Sequence, residues 1–301
     1  MPTIGARVRS TAQRLADAGV PSPEVDAIAL IAHTLGWESS VVRVAAARND
    51  DWPDGADLDL LESRVTRRVD REPLQHITGK AHFRTLELEV GPGVFIPRPE
   101  TETVAQVAID AARQLISAGT AEGGNPVRVT DLCAGSGAIG LAIANEVPNA
   151  LVTLVEASED AWVYLRRNVR AQPVEVRERV RTVLADARNC LRHFDACADV
   201  IVTNPPYIPT GARPIDPEVD LYDPPQALYG LGTDGLAVPK DIIDEAVRLL
   251  RIGGVLVVEH GDLQGENLRA FAESSVYWEG VTTLKDLTGR DRMLIARRIG
   301  A

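Results

Sequence analysis

Cysteine is scarce in this sequence: Cys133, Cys190 and Cys197 are the only three in 301 residues. An odd count without a secretory leader does not build a disulfide framework and fits reduced thiols. Cys190, His193 and Cys197 lie close together, but no second cluster completes a tetrahedral set, so no metal is expected. Long apolar runs are missing as well. No stretch reaches the ~20 apolar residues that a membrane helix needs, and the N-terminus MPTIGARVRSTAQRLADAG lacks the apolar core of a secretory signal. A cytoplasmic location and no membrane partner are therefore expected. Positive charge is also in deficit, with 32 Lys and Arg against 43 Asp and Glu, a formal net charge of −11. A field of that sign repels a phosphate backbone, so no direct nucleic-acid partner is expected. The local exception is Arg64, Arg67, Arg68 and Arg71, whose helical spacing predicts a solvated helix face. A monomer is expected.

What is present reads as a globular chain, 45% hydrophobic and 25% charged, long enough for about two domains. Residues 1–72 read as a small helical bundle, with an apolar stripe at Ile4, Val8, Ala12, Leu15 and Ala16, a second helix closing at Gly36, and a third over Leu58–Val69. Residues 73–98 read as a β-hairpin linker, from the alternation of Leu86, Leu88 and Val90 and a turn at Gly79. A helix follows from about Glu100 to Ser117, then a polar loop over residues 117–127. From Val127 onward strands and helices alternate, which predicts an α/β domain over 99–301 built on a mostly parallel sheet. The last two strands are joined through Thr288-Gly289-Arg290, too short for a crossover, so that pair must be antiparallel. Residues 204–235 contain seven prolines and form a loop too long to be a passive connector.

Two loops of the α/β domain carry chemistry. The first, Asp131-Leu-Cys-Ala-Gly135-Ser-Gly137-Ala-Ile-Gly140, lies between a strand and a helix, and Glu156 ends the next strand. Glycines there admit positive φ and a close ligand approach, the helix N-terminus offers free N–H groups, and a strand-end carboxylate can accept ribose hydroxyls. The pattern points to an adenosine-containing ligand without choosing between NAD and S-adenosylmethionine. Three features lean toward the methyl donor: Asp131 before the glycines, placed for an amino-acid head group or for ordering the loop; Asp186 after the third strand, placed for the adenine N6 hydrogens; and the antiparallel C-terminal pair.

The second loop is Asn204-Pro205-Pro206-Tyr207, delivered by the apolar strand Val200–Thr203 to the carboxyl edge of the sheet. An amide or exocyclic amino nitrogen is a poor nucleophile because its lone pair is delocalised. The Asn204 side-chain oxygen and the Pro205 carbonyl can accept its two hydrogens and favour the charge that grows during attack on a methyl group. Proline fixes φ and adds no competing donor, and Tyr207 offers a face to a flat amide and to a cation. Positioning alone can lower such a barrier by up to ~7–11 kcal/mol, so no strong base is required.

With these motifs in order, the chain resembles the HemK/PrmC family of release-factor glutamine methyltransferases. Pro73-Leu-Gln-His-Ile-Thr-Gly79, Phe95-Ile-Pro-Arg-Pro-Glu-Thr-Glu102, the glycine loop, Asn204–Tyr207, Tyr222-Asp-Pro-Pro-Gln-Ala-Leu228 and Leu284-Lys-Asp-Leu-Thr-Gly-Arg-Asp291 carry the resemblance over nearly the whole length. It implies a Rossmann-like class I methyltransferase fold behind the helical bundle and hairpin. It also implies N5 methylation of the glutamine in the Gly-Gly-Gln loop of class 1 peptide chain release factors, with S-adenosylhomocysteine as product. By the same resemblance, Cys133, Ala134, Gly135, Ser136, Gly137, Glu156, Asp186, Ala187 and Asn204 hold S-adenosylmethionine. Asn204, Pro205, Pro206 and Tyr207 hold the glutamine, Arg98 and Glu100 help close the site, and the helical domain docks the release factor. The chain departs from the family at three positions: Cys133 where glycine is usual, Glu156 where aspartate is usual, and Ala187 where an aromatic can cover adenine. Two rival activities share parts of the pattern, a DNA amino-methyltransferase and an NAD-dependent oxidoreductase. The first needs a grip on a polyanion that this acidic chain lacks.

Overall fold

The computed structural model describes residues 2–119 and 125–300, so the expected polar loop at 117–127 lies partly outside the described residues. The chain forms two compact units. One runs through Lys80 and takes back Pro214–Tyr222; the other holds Ala81–Arg213 and the chain from Asp223 onward. Among the described residues no helix is long and apolar enough to cross a membrane.

The first unit is helical: α1 (Ile4–Asp17), α2 (Pro23–Leu35), α3 (Ser39–Arg48), α4 (Leu58–Val69) and the short α5 (Leu74–Thr78), with α10 (Pro217–Tyr222) returning from the proline-rich loop. The Thr3 hydroxyl caps α1 and the Asp57 carboxylate caps α4, each accepting a first-turn N–H. Gly36 in the left-handed conformation ends α2. Ile4, Val8 and Leu15 of α1 meet Leu30 and Ile31 of α2, Val42 of α3, Leu61 and Val65 of α4, and Trp52 in one core.

The arginine cluster corrects the sequence reading in part. Arg68 is buried, donating from Nε to Asp26 and from Nη2 to Glu218, both at 2.7 Å. Arg71 also donates to Glu218, at 3.1 Å, and Arg67 forks onto Glu72. Arg67 stays exposed as expected, but Arg68 and Arg71 are drawn into an ion-pair network because α10 carries Glu218 back to them. Burial raises the Asp26 carboxyl above its usual range despite Arg68.

The second unit starts with a hairpin of β1 (Lys80–Phe83) and β2 (Leu86–Glu89), so of the segment 73–98 only these strands pair, and Leu74–Thr78 is helical. After α6 (Thr101–Ser117) come β3 (Val127–Leu132), α7 (Ala138–Glu146), β4 (Ala150–Glu156), α8 (Glu159–Ala171), α9 (Val174–Arg177), β5 (Val180–Leu184) and β6 (Ala198–Thr203). The chain ends with α11 (Pro225–Leu228), α12 (Ala237–Leu249), β7 (Leu250–Glu259), α13 (Gly265–Glu273), β8 (Trp278–Lys285) and β9 (Asp291–Arg298). The seven strands stand in the order β5-β4-β3-β6-β7-β9-β8. The first five pair in parallel, and β9 runs antiparallel to both β7 and β8, as the short final turn requires.

Both faces of this sheet are covered. Val200 and Val202 pack with α6 and α7 on one side, and Ile201 packs with α12 and α13 on the other. That explains why β6 runs apolar without alternation over Val200, Ile201 and Val202. The strand order turns back at β3, which has β4 on one side and β6 on the other. In open α/β sheets such a switch leaves a crevice at the carboxyl ends of the two central strands.

Candidate active site

Leu132, the last residue of β3, and Thr203, the last of β6, are partners in register, and the Thr203 hydroxyl donates to the Leu132 carbonyl at 2.6 Å. The glycine loop and the Asn204 turn, about seventy residues apart in sequence, therefore leave neighbouring strands at one edge of the sheet.

The glycine loop is wound tightly. Cys133, Gly135 and Gly137 all have positive φ, and Gly137 immediately precedes α7. The Ala134 N–H donates to Val155 on β4, and the Ser136 carbonyl accepts from the Asn168 side chain at 2.9 Å. A Cβ added at Gly135 would meet nothing within 4 Å, so the backbone there faces open space, as a backbone that receives a ligand must.

Both acids near this loop hold it in shape. Asp131 accepts from the Gly140 N–H at 2.9 Å, leaving its other oxygen buried without a partner; burial pushes its carboxyl up to about 8. Of the two roles open for Asp131, this geometry favours ordering the loop. Glu156 accepts from the Gly135 N–H through one oxygen and from the Ser158 N–H through the other, both at 2.7 Å. Burial raises its carboxyl, and those backbone bonds oppose the rise. Each oxygen keeps a second lone pair for a hydroxyl. The Cys133 thiol is raised by burial, and by Glu156 beside it, far from a reactive thiolate. Asp186 sits just past the end of β5, but Arg188 holds both of its oxygens, so an adenine amino group would have to share them. Ala187 is buried behind it.

The Asn204 turn is fixed from three sides. The Asn204 side-chain nitrogen donates to the Thr101 hydroxyl of α6 at 3.4 Å. The Tyr207 and Ile208 N–H groups both donate to the Leu228 carbonyl. The Gln264 side chain donates to the Tyr207 carbonyl. Gly235, at positive φ, lies so close under this backbone that any Cβ would strike the Tyr207 carbonyl. Pro205 is buried, while Asn204, Pro206 and Tyr207 are half-buried. Burial raises the Tyr207 phenol, and the charged groups that act on it include Glu259, Arg292, Glu100 and Arg98. Arg98 is itself paired with the buried Asp223 and lies over the Phe95 ring.

The PrmC N-terminal domain family matches residues 8–79, and the methyltransferase small domain family matches residues 103–214. The chain is 44% identical to the release factor glutamine methyltransferase of Streptomyces coelicolor, over 99% of both chains. It is 42% identical to that of Bifidobacterium longum, over 96% of this chain and 97% of that protein. The chain belongs to the release factor glutamine methyltransferase family. A further relative, the 4-amino-L-phenylalanine/4-methylamino-L-phenylalanine methyltransferase of Streptomyces pristinaespiralis, is 40% identical over 71% of this chain and 70% of that protein.

In this methyltransferase, sequence reasoning missed Thr101, Asp223, Glu259, Gln264 and Arg292. Glu259 ends β7 and is fully buried; burial pushes its carboxyl up to about 8, opposed by the Thr101 hydroxyl, Arg292 and the Asn204 side chain. A signal for it existed: an acid closing an apolar strand at the carboxyl edge, as Glu156 does. Gln264 and Asp223 carry no such signal, because their role is to bond backbone or another side chain across the fold.

Proposed function

We propose that this chain transfers a methyl group from S-adenosylmethionine to the side-chain nitrogen of the glutamine in the Gly-Gly-Gln loop of class 1 release factors. The observation that carries the reading is the adjacency of the two loops at the ends of β3 and β6, one open at Gly135 and the other carrying Asn204 and Pro205.

S-adenosylmethionine supplies a methyl group on a cationic sulfonium. The backbone of Cys133, Ala134, Gly135, Ser136 and Gly137 would receive it, with Glu156 accepting its ribose hydroxyls and Asp186 and Ala187 bordering its adenine. Asn204 Oδ1 and the Pro205 carbonyl accept the two hydrogens of the target carboxamide and hold its nitrogen in line with the methyl group. As the nitrogen–carbon bond forms, the methyl–sulfur bond would break and S-adenosylhomocysteine would leave. The nitrogen would gain positive charge and both hydrogen bonds would strengthen, which lowers the barrier more than it tightens ground-state binding. One amide proton would be lost to solvent as the methylated product departs. Tyr207 and Pro206 flank the flat amide and keep water out. Arg98 and Glu100 border the same opening, and the helical unit docks the body of the release factor.

The relative that methylates 4-amino-L-phenylalanine gives a second reading, a free aromatic amine as substrate. The release-factor relatives align over nearly the full chain, which favours the protein substrate. The test is incubation with labelled methyl donor and, separately, a purified class 1 release factor, the same factor with alanine in place of the target glutamine, 4-amino-L-phenylalanine, and duplex DNA. Label in the unaltered release factor alone is expected. Label in the amino acid or the DNA at a matching rate would overturn the assignment.

A further inference from the structure

A carboxamide has two ends of similar shape, and at position 204 only one of them is useful. The oxygen accepts a hydrogen from a substrate amide, whereas the nitrogen would set donor against donor. Nothing within Asn204 itself chooses between them. The choice falls to the groups behind it. The Asn204 nitrogen donates to the Thr101 hydroxyl at 3.4 Å. The Thr101 hydroxyl and the Asn204 side chain both also act as hydrogen-bond partners of the Glu259 carboxyl. Glu259 is fully buried, and its Oε2 has no hydrogen-bond partner. A fully buried acid is not kept for solubility, and with one oxygen unsatisfied it is not kept for stability either. The same three residues come from separate elements: the first turn of α6, the end of β6 and the end of β7.

We infer that Glu259 is a positioning residue which, with Thr101, locks the Asn204 carboxamide so that its oxygen faces the substrate nitrogen. The Glu259 side-chain carboxyl serves as the terminal acceptor behind Asn204 and Thr101. The Thr101 hydroxyl then turns a lone pair toward the Asn204 nitrogen, and that nitrogen is held away from the substrate. The inference rests on the proposed role of Asn204 in binding the target amide.

The test compares full-length Glu259→Leu, Glu259→Gln, Thr101→Val and Thr101→Ser proteins in methyl transfer to a class 1 release factor. Binding of S-adenosylhomocysteine is measured by calorimetry alongside. Leucine at 259 and valine at 101 should each lower kcat by about tenfold to a hundredfold, with cofactor affinity within about twofold of the parent. Glutamine at 259 and serine at 101 keep an acceptor in place and should restore most of the rate, which a merely structural role would not predict. Wild-type kcat in both Glu259→Leu and Thr101→Val overturns the inference, as does a Glu259→Gln protein as slow as Glu259→Leu. If Glu259→Leu does not fold, the Thr101 pair decides alone. Asn204→Ala is run in parallel. An active Asn204→Ala protein removes the reading of the site itself, whereas an inactive one beside fully active Thr101 and Glu259 variants removes only this inference.

Discussion

The side-chain amide of Gln264 donates to the backbone carbonyl of Tyr207 at 2.7 Å, tying the turn before α13 to the end of the Asn-Pro-Pro-Tyr loop. The same nitrogen donates to the Asp234 carbonyl at 2.8 Å, and the Gln264 oxygen accepts from the Gly261 N–H at 2.8 Å. One side chain thus satisfies three backbone groups around a loop that cannot be braced by regular secondary structure. Gln264→Glu replaces the donor with an acceptor that faces two carbonyls. An unsatisfied buried group costs about 1–3 kcal/mol, so this variant should melt earlier and lose about tenfold to a hundredfold in kcat, with cofactor affinity retained. Melting curves and steady-state kinetics check both parts.

Gly135 separates conformational from steric demands. Its φ is +55° and the space beyond it is open. Alanine there adds about 1–2 kcal/mol of left-handed strain, which the fold tolerates, but it also points a methyl group into the space proposed for the cofactor. Gly135→Ala should remain folded while its affinity for S-adenosylhomocysteine, read by calorimetry, falls about tenfold or more. Unchanged affinity would remove the cofactor from this loop.

Arg68 is the charge on which the helical unit depends. It is buried between Asp26 and Glu218, and alanine in its place leaves the Asp26 carboxylate buried without its counter-ion. Breaking a buried pair from one side typically costs about 3–5 kcal/mol. Arg68→Ala should therefore lower the denaturant midpoint strongly. Replacing Arg68, Asp26 and Glu218 together with apolar residues of similar volume should recover much of that loss.

Asp286 predicts a pH dependence. It caps the turn between β8 and β9, accepting from the Thr288 hydroxyl and from the Thr288 and Arg290 N–H groups, and pairs with Arg292. The Thr288 hydroxyl, first among these, holds its carboxyl down at about 2, below its ordinary 3.8. Because the folded value lies below the unfolded one, the contribution to stability is complete above about pH 4 and is lost as pH falls toward about 2. Melting temperatures measured across that window should drop more steeply for the parent than for Asp286→Asn.

Much of this architecture could be read from residues alone, for identifiable reasons. The strand β6 is buried on both faces, so its run Val200–Val202 is unmistakable, and β3 shows Val127, Val129 and Leu132 leading into the glycine loop. The helix α4 carries its own start signal in Asp57 and an apolar stripe that ends at Val69. The helix α3 escaped notice because Val42 and Ala45 are its only buried side chains and its alanines give no periodic contrast. The return of Pro217–Tyr222 to the helical unit was hidden because it depends on Glu218 meeting Arg68 from a distance of 150 residues. At the site, the loop that needs glycine and the turn that needs proline were plain, since those residues are chosen for their backbones. Thr101 and Gln264 act through side-chain bonds across the fold, and sequence spacing does not encode such partners, whereas Glu259 carries the signal of an acid that closes an apolar strand. The burial of Arg68 within the arginine cluster is hidden for the same reason: helical spacing locates a face but does not say what packs against it.

The most direct test of the account is tandem mass spectrometry of the Gly-Gly-Gln peptide from a class 1 release factor after incubation with S-adenosylmethionine and this protein, parent or Asn204→Ala. The account predicts a single methyl group on the glutamine side-chain nitrogen with the parent and none with the variant, while both proteins bind S-adenosylhomocysteine comparably. A methyl group on any other residue, or full methylation by Asn204→Ala, would contradict it.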